Sequence, residues 1–535
     1  MSSESKLAGE EAAPSLSSGV ISVGASSDLV NRLKQNFKAR QAPEDDVFRK
    51  QTYITSLIQD LTWAFVELGR PVNVKKVEEW AIFLHEMLTR ESRKYHSVAH
   101  VYEISAAATP LQFLAAAFRD VVSHYIDGGR PHLKQKELLD GVFDPADSFV
   151  LNPKIDSDPR DLLVVTIFGF APNSDLQAFQ GLHNGLDVFL SAMLASRLLR
   201  DHLDLKLTAQ LAACLEATIP FRKAQPKPDG SGMGPSPIDK LYQNLAKCNA
   251  DFALGMSEQE VIETIQQAVD LRNRSVGNMV TDDLAEFLDH TWSLLPEQNV
   301  ALRKSTLHTL TDYYCAVSSM VRLLLSIEPE TVYGSFQGIP NESDTSRFRQ
   351  MLTRNLKVAL VYLRARLLSV AVVAAFAMIT GGDAPKSFFF GDLPALHRES
   401  ERLGDGLTLK IPPGDASDAA ANQRYNVEVY DLLRGDRMAE TGFDTRNAPF
   451  AAYIYEALGD KRVEKALDGH CCDCPGSEEV RECHPSCPFK DDNACWALLR
   501  SLPYDLVCDL GTEVGRIAIS RKKSIERILS KLSEG

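Results

Sequence analysis

The chain has 535 residues, of which 44% are hydrophobic and 24% charged, and this usage is typical of a soluble globular protein with room for two or more domains. Its formal net charge of −14 argues against general nucleic-acid binding, because the phosphate backbone would be repelled without a local basic patch. The longest apolar stretch, 367–380, has 14 residues and contains Ser369, so it predicts a buried core helix and no membrane span.

The first 45 residues differ in composition from the rest of the chain. They are rich in Ser, Ala and Gly and lack apolar periodicity, which predicts a disordered tail over 1–45. No apolar signal region is present near the N-terminus, and Glu4, Glu10 and Glu11 argue against an organellar transit peptide. We therefore expect a cytoplasmic protein.

Helical periodicity dominates from residue 46 onward. Ile54, Leu57, Leu61 and Phe65 recur at intervals of three or four, while the alternation typical of strands is confined to short pieces such as 407–411. The sequence therefore predicts an all-α protein. We divide it into a helical domain at 46–290 with a loop-like insertion at about 127–160 and a Pro/Gly linker at 223–237, a helical extension at 291–410, and a C-terminal region at 411–535.

One stretch of the helical domain concentrates side chains that carry chemistry. Five of them lie close together in the sequence: His96, His100, Arg119, Asp120 and His124. The spacing of His96 and His100 is that of one helix face, and Arg119 and Asp120 end the next apolar helix. Imidazole and carboxylate groups at the ends of adjacent helices can meet in one pocket, and they are the ligands with which proteins hold a water-activating divalent metal.

The same stretch carries a family resemblance. The segments YHSVAH at 95–100 and AAAFRDVV at 115–122 resemble the HD-domain phosphohydrolases, whose pattern is a His, then a His-Asp pair that closes the next helix, then a distant Asp. The resemblance covers roughly residues 50–400 and looks closest to a large, mainly bacterial and cyanobacterial branch of that superfamily. It implies a helical bundle that descends from metal-dependent phosphohydrolases.

The chain departs from the family pattern at positions that would hold the metal. Arg119 stands in place of the paired His, Ser275 in place of the distal Asp, and Asp187-Val188 where the relatives carry Asn-Glu. A guanidinium has no lone pair and stays charged, so Arg119 cannot ligate a metal and adds positive charge where the cation would lie. We expect Arg119 either to pair with Asp120 or to point to solvent.

The resemblance and its departures together imply a vestigial site without a divalent metal, formed by His96, His100, Arg119, Asp120, His124 and Ser275. The predicted function is a non-catalytic module that binds a ligand, such as an anionic small molecule, or assembles with a protein partner or with itself. The alternative is an active metal-dependent phosphohydrolase that acts on a nucleotide or another phosphate ester through a rewired ligand set.

Seven of the ten cysteines lie between positions 471 and 508. Clustered thiols in a cytosolic chain favour metal binding over disulfides, and a CxxC pair with a wider second pair predicts a structural zinc site. The candidate ligands are Cys471, Cys472, Cys474, Cys483, Cys487 and Cys495. Redox chemistry, disulfides or unligated thiols are the alternatives.

Two further predictions concern packing. Glu216 and Arg222, in the EATIPFR segment, predict a buried ion pair without an acid–base role. The final segment, 517–532, predicts one amphipathic basic helix that ends in solvent or docks a partner.

Overall fold

The computed structural model describes residues 20–21, 35, 52–124, 126–127, 132–145, 147–179, 185–226, 231–303, 307–391, 425–437, 439, 441–467 and 491–534. Within these ranges the protein is mostly helical, so the predicted all-α class is confirmed. Twenty α-helices are described in these ranges, together with four short strands that form two separate two-stranded sheets.

The first ten helices belong to the N-terminal half of the fold. They are α1 (Tyr53–Glu67), α2 (Val74–Leu88), α3 (Val98–Ile104), α4 (Pro110–Arg119), α5 (Leu133–Leu139), α6 (Pro159–Ile167), α7 (Leu186–Leu198), α8 (Leu205–Ala217), α9 (Pro237–Asp251) and α10 (Glu258–Ser275). Helix α8 lies at the centre of this half, where it packs against α4, α6, α7, α9 and α10.

The other ten helices form the C-terminal half. They are α11 (Leu284–Gln298), α12 (Leu310–Ser326), α13 (Pro329–Val332), α14 (Glu342–Gly381), α15 (Lys386–Phe390), α16 (Val427–Asp431), α17 (Pro449–Leu467), α18 (Asp492–Ser501), α19 (Tyr504–Ile517) and α20 (Lys522–Ser533). Helix α14 is the axis of this half and packs against α12, α17 and α18.

Two hydrophobic cores divide the chain between α10 and α11. The first core takes its buried side chains from Leu57 to Leu271, together with Phe336, and the second takes them from Val276 to Ile528. The boundary between the cores lies some fifteen residues before residue 290, where the sequence predicted the end of the helical domain. Because α17 to α20 pack into the second core, the described parts of 411–535 share one core with the helical extension.

The 40-residue helix α14 contains the apolar stretch of the sequence. Of the helices that the structure describes, it is the one long and apolar enough to cross a membrane, and 83% of its most apolar window is buried inside the fold. Its apolar residues therefore pack as a core helix. The helix ends at Gly381, and Gly382 follows with a φ of 99°, a conformation that glycine adopts without strain.

Short elements lie in three stretches for which the sequence makes local predictions. The insertion predicted at 127–160 contains α5 and a hairpin of β3 (Phe143–Asp144) and β4 (Asp147–Leu151). The helix predicted at 517–532 begins later, because α19 ends at Ile517, a short 3₁₀ turn covers Ile519–Arg521, and α20 starts at Lys522. Within the predicted tail, β1 (Val20–Ile21) pairs antiparallel with β2 (Val72–Asn73).

Candidate anion site at the junction of the two cores

Helix α4 places Arg119 and Asp120 at the edge of the first core. A capping box between Thr109 and Gln112, with Pro110 at the first helical position, starts the helix, and Asp120 caps its C-terminus. Arg119 Nη1 donates to Asp120 Oδ2 at 2.9 Å, and the two side chains are only 8% and 13% exposed. This ion pair is one of the two arrangements that the sequence predicts for Arg119.

The guanidinium of Arg119 has an N–H group that makes no hydrogen bond within the protein. Its Nε–H is enclosed in the protein with no hydrogen-bond partner, while Nη1 is occupied by Asp120. An enclosed donor without an acceptor costs free energy of about 1–3 kcal/mol. The free edge of Arg119 is therefore a place where an acceptor from a ligand would be stabilised.

Asp120 is held as a carboxylate by its surroundings. Burial alone would raise its pKa, but Arg119, His96, His100 and Arg93 outweigh burial and lower the pKa to about 2. Arg93 approaches from another direction, because its Nη1 donates to the Asp120 carbonyl oxygen at 2.9 Å. Arg93 Nε and Nη2 donate to the two carboxylate oxygens of Asp127, at 3.0 and 2.9 Å.

His96 is oriented by Glu297 on α11, and this contact crosses from one core to the other. His96 Nδ1 lies 2.6 Å from Glu297 Oε2, while Glu297 Oε1 accepts the backbone N–H groups of Lys94, Tyr95 and His96 at 2.7, 2.7 and 2.9 Å. Burial would raise the pKa of Glu297, but His96 and these N–H donors lower it below its ordinary value. Glu297 therefore fixes both the loop before α3 and the ring of His96.

The predicted helical face of His96 and His100 is not observed. Helix α3 begins at Val98, so His96 lies in the preceding turn, although the two imidazole rings are 5.9 Å apart. His100 Nδ1 is 3.1 Å from Glu103, its Nε2 is enclosed without a partner, and burial lowers its pKa against the opposing effect of Glu103. The His100 imidazole packs against Tyr95, at a ring distance of 4.6 Å.

Asp187 is a second carboxylate that lines the site. Helix α7 starts after Gly185, whose φ of 97° and close approach to Ile219 suit glycine. Asp187, in the first turn, accepts from Ser123 Oγ at 3.0 Å and from the His124 backbone N–H at 3.1 Å. Burial raises its pKa. Asp187 and Asp120 therefore line the same cavity.

Two cavities meet at Arg119 and His96. The first is mainly apolar, with a volume of about 80 Å³ that water-sized molecules can occupy, and it lies between the cores. The second is polar, with about 40 Å³ of such space, and opens toward Asp120 and Asp187. The side chains that line the second cavity include Arg93, His96, Arg119, Asp120, Ser123 and Asp187.

The remaining predicted residues lie around this centre. Ser275, at the end of α10, lines the apolar cavity but donates its hydroxyl hydrogen to the Arg272 carbonyl oxygen at 2.7 Å. His124 is exposed and lines neither cavity; its Nδ1 is 3.9 Å from Asp187. The structure thus brings together His96, Arg119 and Asp120, places Ser275 nearby and leaves His124 outside.

These side chains do not fit the divalent metal that the resemblance implies. The guanidinium of Arg119 is bonded to Asp120, the carboxylate that would have to ligate the cation. Among the residues that the structure describes, no group of three or more His, Cys, Asp or Glu side chains is arranged to hold a metal ion. The arrangement can bind an anion through Arg119, and it offers no set of ligands to activate water.

The predicted zinc ligands fall mostly beyond the described ranges. Cys471, Cys472, Cys474, Cys483 and Cys487 lie outside the described residues. Cys495 is on α18, fully buried in the second core, and burial raises its pKa to about 12. This environment opposes the thiolate form that binds zinc.

Sequence reasoning missed Glu297 and Arg93. Glu297 lies about two hundred residues from His96, in the last turn of a helix whose sequence carries no signal for such a contact. Arg93 is next to the motif, and a charged side chain beside YHSVAH was the available clue. The predicted pair of Glu216 and Arg222 is present, with Glu216 buried and bonded to Arg222 Nη1.

No protein-family model, no curated protein and no solved structure matches this chain significantly.

Proposed function

We propose that the chain is an HD phosphohydrolase-like protein whose metal site has become an anion-binding site, and that it acts as a non-catalytic ligand-binding module. The observation that carries the proposal is the largely buried Arg119–Asp120 ion pair, in which the Arg119 Nε–H has no partner and the Arg119 side chain lines two cavities. A fixed positive charge in a hydrogen-bonding cavity favours retention of an anion and does not generate a nucleophilic water.

The contacts around the pair support binding over catalysis. Glu297 uses both oxygens to hold His96 and three backbone N–H groups, so neither oxygen is placed to accept a proton from a substrate. Asp120 is engaged by Arg119 and keeps a low pKa, which makes it a weak base.

Phosphoester hydrolysis tests the proposal. The protein with Cys471, Cys472, Cys474, Cys483 and Cys487 changed to Ser would be incubated with Mg²⁺, Mn²⁺ or Zn²⁺ and with p-nitrophenyl phosphate or nucleoside triphosphates. We expect the same background rate as in the Asp120→Asn protein. A metal-dependent rate that disappears with Asp120→Asn and with His96→Ala would overturn the proposal in favour of an active hydrolase.

A further inference from the structure

We infer that the ligand is a small apolar monocarboxylate, with its carboxylate on the free edge of Arg119 and its hydrocarbon body in the apolar cavity between the two cores. The inference deepens the proposed function and rests on it. It assigns a chemical class to the ligand and distinguishes that class from phosphate esters.

The head of the ligand is defined by Arg119. Of the side chains that line either cavity, within the part of the chain that the structure describes, Arg119 is the one with an enclosed polar atom that lacks a partner. Its Nη1 is used by Asp120, which leaves Nε and Nη2 as a side edge. Two parallel N–H groups on this edge match the two oxygens of a carboxylate.

The body of the ligand is defined by the cavity walls. The walls are formed mainly by apolar side chains: Phe221, Met279, Phe287, Met320, Leu323 and Leu324. Three polar side chains of the walls already donate within the protein: Ser275 to Arg272, Thr291 to Phe287 and Asn278 to Tyr95. A hydrocarbon chain therefore fits these mainly apolar walls better than a ribose or a base, which would bury several polar atoms against them.

The charge balance favours a single negative charge. Arg119 is already paired with Asp120, and Asp187 lines the polar cavity on the other side. A phosphate dianion on Arg119 would meet these acidic groups with twice the charge of a carboxylate. The cavity has about 80 Å³ of space for the centres of water-sized molecules, which suits a short hydrocarbon chain.

The walls come from both halves of the protein. Pro220 and Phe221 follow the central helix of the first half, whereas Phe287 lies on α11 and Met320 and Leu324 lie on α12 of the second core. A ligand in this cavity would bury its apolar surface against both halves at once, which stabilises their contact.

Calorimetric titration of the full chain with hexanoate, acetate, hexan-1-ol and orthophosphate tests the inference. We expect one hexanoate per chain, bound at least about tenfold more tightly than acetate, because each buried methylene strengthens binding about fourfold. Arg119→Gln should weaken hexanoate binding about ten- to hundredfold and leave hexanol unchanged. The control Arg70→Gln, which removes an exposed ion pair with Asp204, should change neither.

The outcomes separate the inference from the proposed function. Arg119-dependent binding of orthophosphate without hexanoate binding would overturn the monocarboxylate and keep the anion site. Absence of anion binding, or hexanoate binding that is unchanged by Arg119→Gln, would overturn both the head group and the anion site. If Arg119→Gln fails to fold, Leu323→Asn gives a second test: hexanoate binding should weaken while acetate binding stays the same, and an equal loss of both would overturn the inference.

Discussion

Two carboxylates paired with guanidinium groups, the largely buried Asp120 and the fully buried Asp444, form different sites. Asp444 lies in the second core, 2% exposed, and accepts from Trp292 Nε1 at 2.9 Å, Tyr313 Oη at 2.5 Å, Lys386 Nζ at 2.7 Å and Arg366. Asp120 lies at the junction of the cores and accepts one side-chain hydrogen bond, from a guanidinium that keeps a donor free.

The two carboxylates differ in whether a cavity lies beside them. Asp444 joins α11, α12, α14 and α15 through direct hydrogen bonds, and Arg366 also stacks over Trp292, 5.0 Å from the ring centroid. None of these residues lines the two cavities at Arg119. A carboxylate whose donors all come from packed helices stabilises the fold, whereas one beside a cavity with a spare donor is available to a ligand.

The largest expected effect is at Asp444. Asp444→Asn leaves Arg366 and Lys386 buried without their counter-ion, so the free energy of unfolding should fall by about 3–5 kcal/mol. Urea denaturation followed by circular dichroism measures the change. Asp383→Asn, which alters a partly buried turn carboxylate that accepts from Ala384 N, is the control and should cost about 1 kcal/mol. A loss at Asp444 no larger than the control would refute its role as a structural tie.

Glu297 should come next, because it connects the two cores. Glu297→Ala removes the acceptor of three N–H groups, one of them buried and two partly buried, and should destabilise by about 3 kcal/mol. Glu297→Gln keeps an oxygen for those N–H groups and should cost less, about 1–2 kcal/mol. Denaturant midpoints compare the two variants, and equal losses would show that the N–H contacts contribute nothing beyond the charge.

The pH dependence of stability should report Asp120. Its pKa is lowered to about 2, so its contribution is complete above its ordinary value of 3.8 and is lost as the pH falls toward 2. A shift of this size corresponds to about 2 kcal/mol. Unfolding free energies measured from pH 6 downward should therefore fall less steeply in Asp120→Asn than in the native chain. Parallel curves would contradict the assignment.

The smallest expected effect is at Ser123, which donates to Asp187. Ser123→Ala removes the hydroxyl that donates to Asp187 Oδ2 and should cost about 1 kcal/mol. Hexanoate affinity should not change, because Ser123 lines the polar cavity and not the apolar one. Thermal denaturation and the titration described above check the two statements, and a large loss of hexanoate affinity would show that the ligand lies on the polar side.

Local patterns in the sequence predicted the parts of the site that lie close together in the chain. The helix that ends at Arg119 follows from apolar spacing, and the pairing of Arg119 with Asp120 is one of the two arrangements that the charge of a guanidinium predicts. The spacing of His96 and His100 did not predict their environment. Helix α3 begins only at Val98, and the backbone N–H of His96 donates to Glu297. A contact between positions two hundred residues apart leaves no local pattern.

Local sequence patterns also failed to predict contacts in the C-terminal half. Asp444 carries no signal in its own segment, since its partners Trp292, Arg366 and Lys386 come from helices far from it in sequence. The stretch 127–160, predicted as a loop-like insertion from its Gly, Pro and Asp residues, contains α5 and a two-stranded hairpin. Turn residues mark where the chain reverses, and they do not exclude short ordered elements between the reversals.

The most direct test of the account is a Mn²⁺ titration followed by electron paramagnetic resonance, with the five cysteines from Cys471 to Cys487 changed to Ser. The native site should bind no stoichiometric Mn²⁺, because Arg119 is bonded to Asp120 and a guanidinium cannot ligate a cation. Arg119→His and Ser275→Asp, which introduce the side chains that the HD-domain resemblance implies at these positions, should create one Mn²⁺ site per chain. One tightly bound Mn²⁺ in the protein that retains Arg119, lost on Asp120→Asn, would contradict the account.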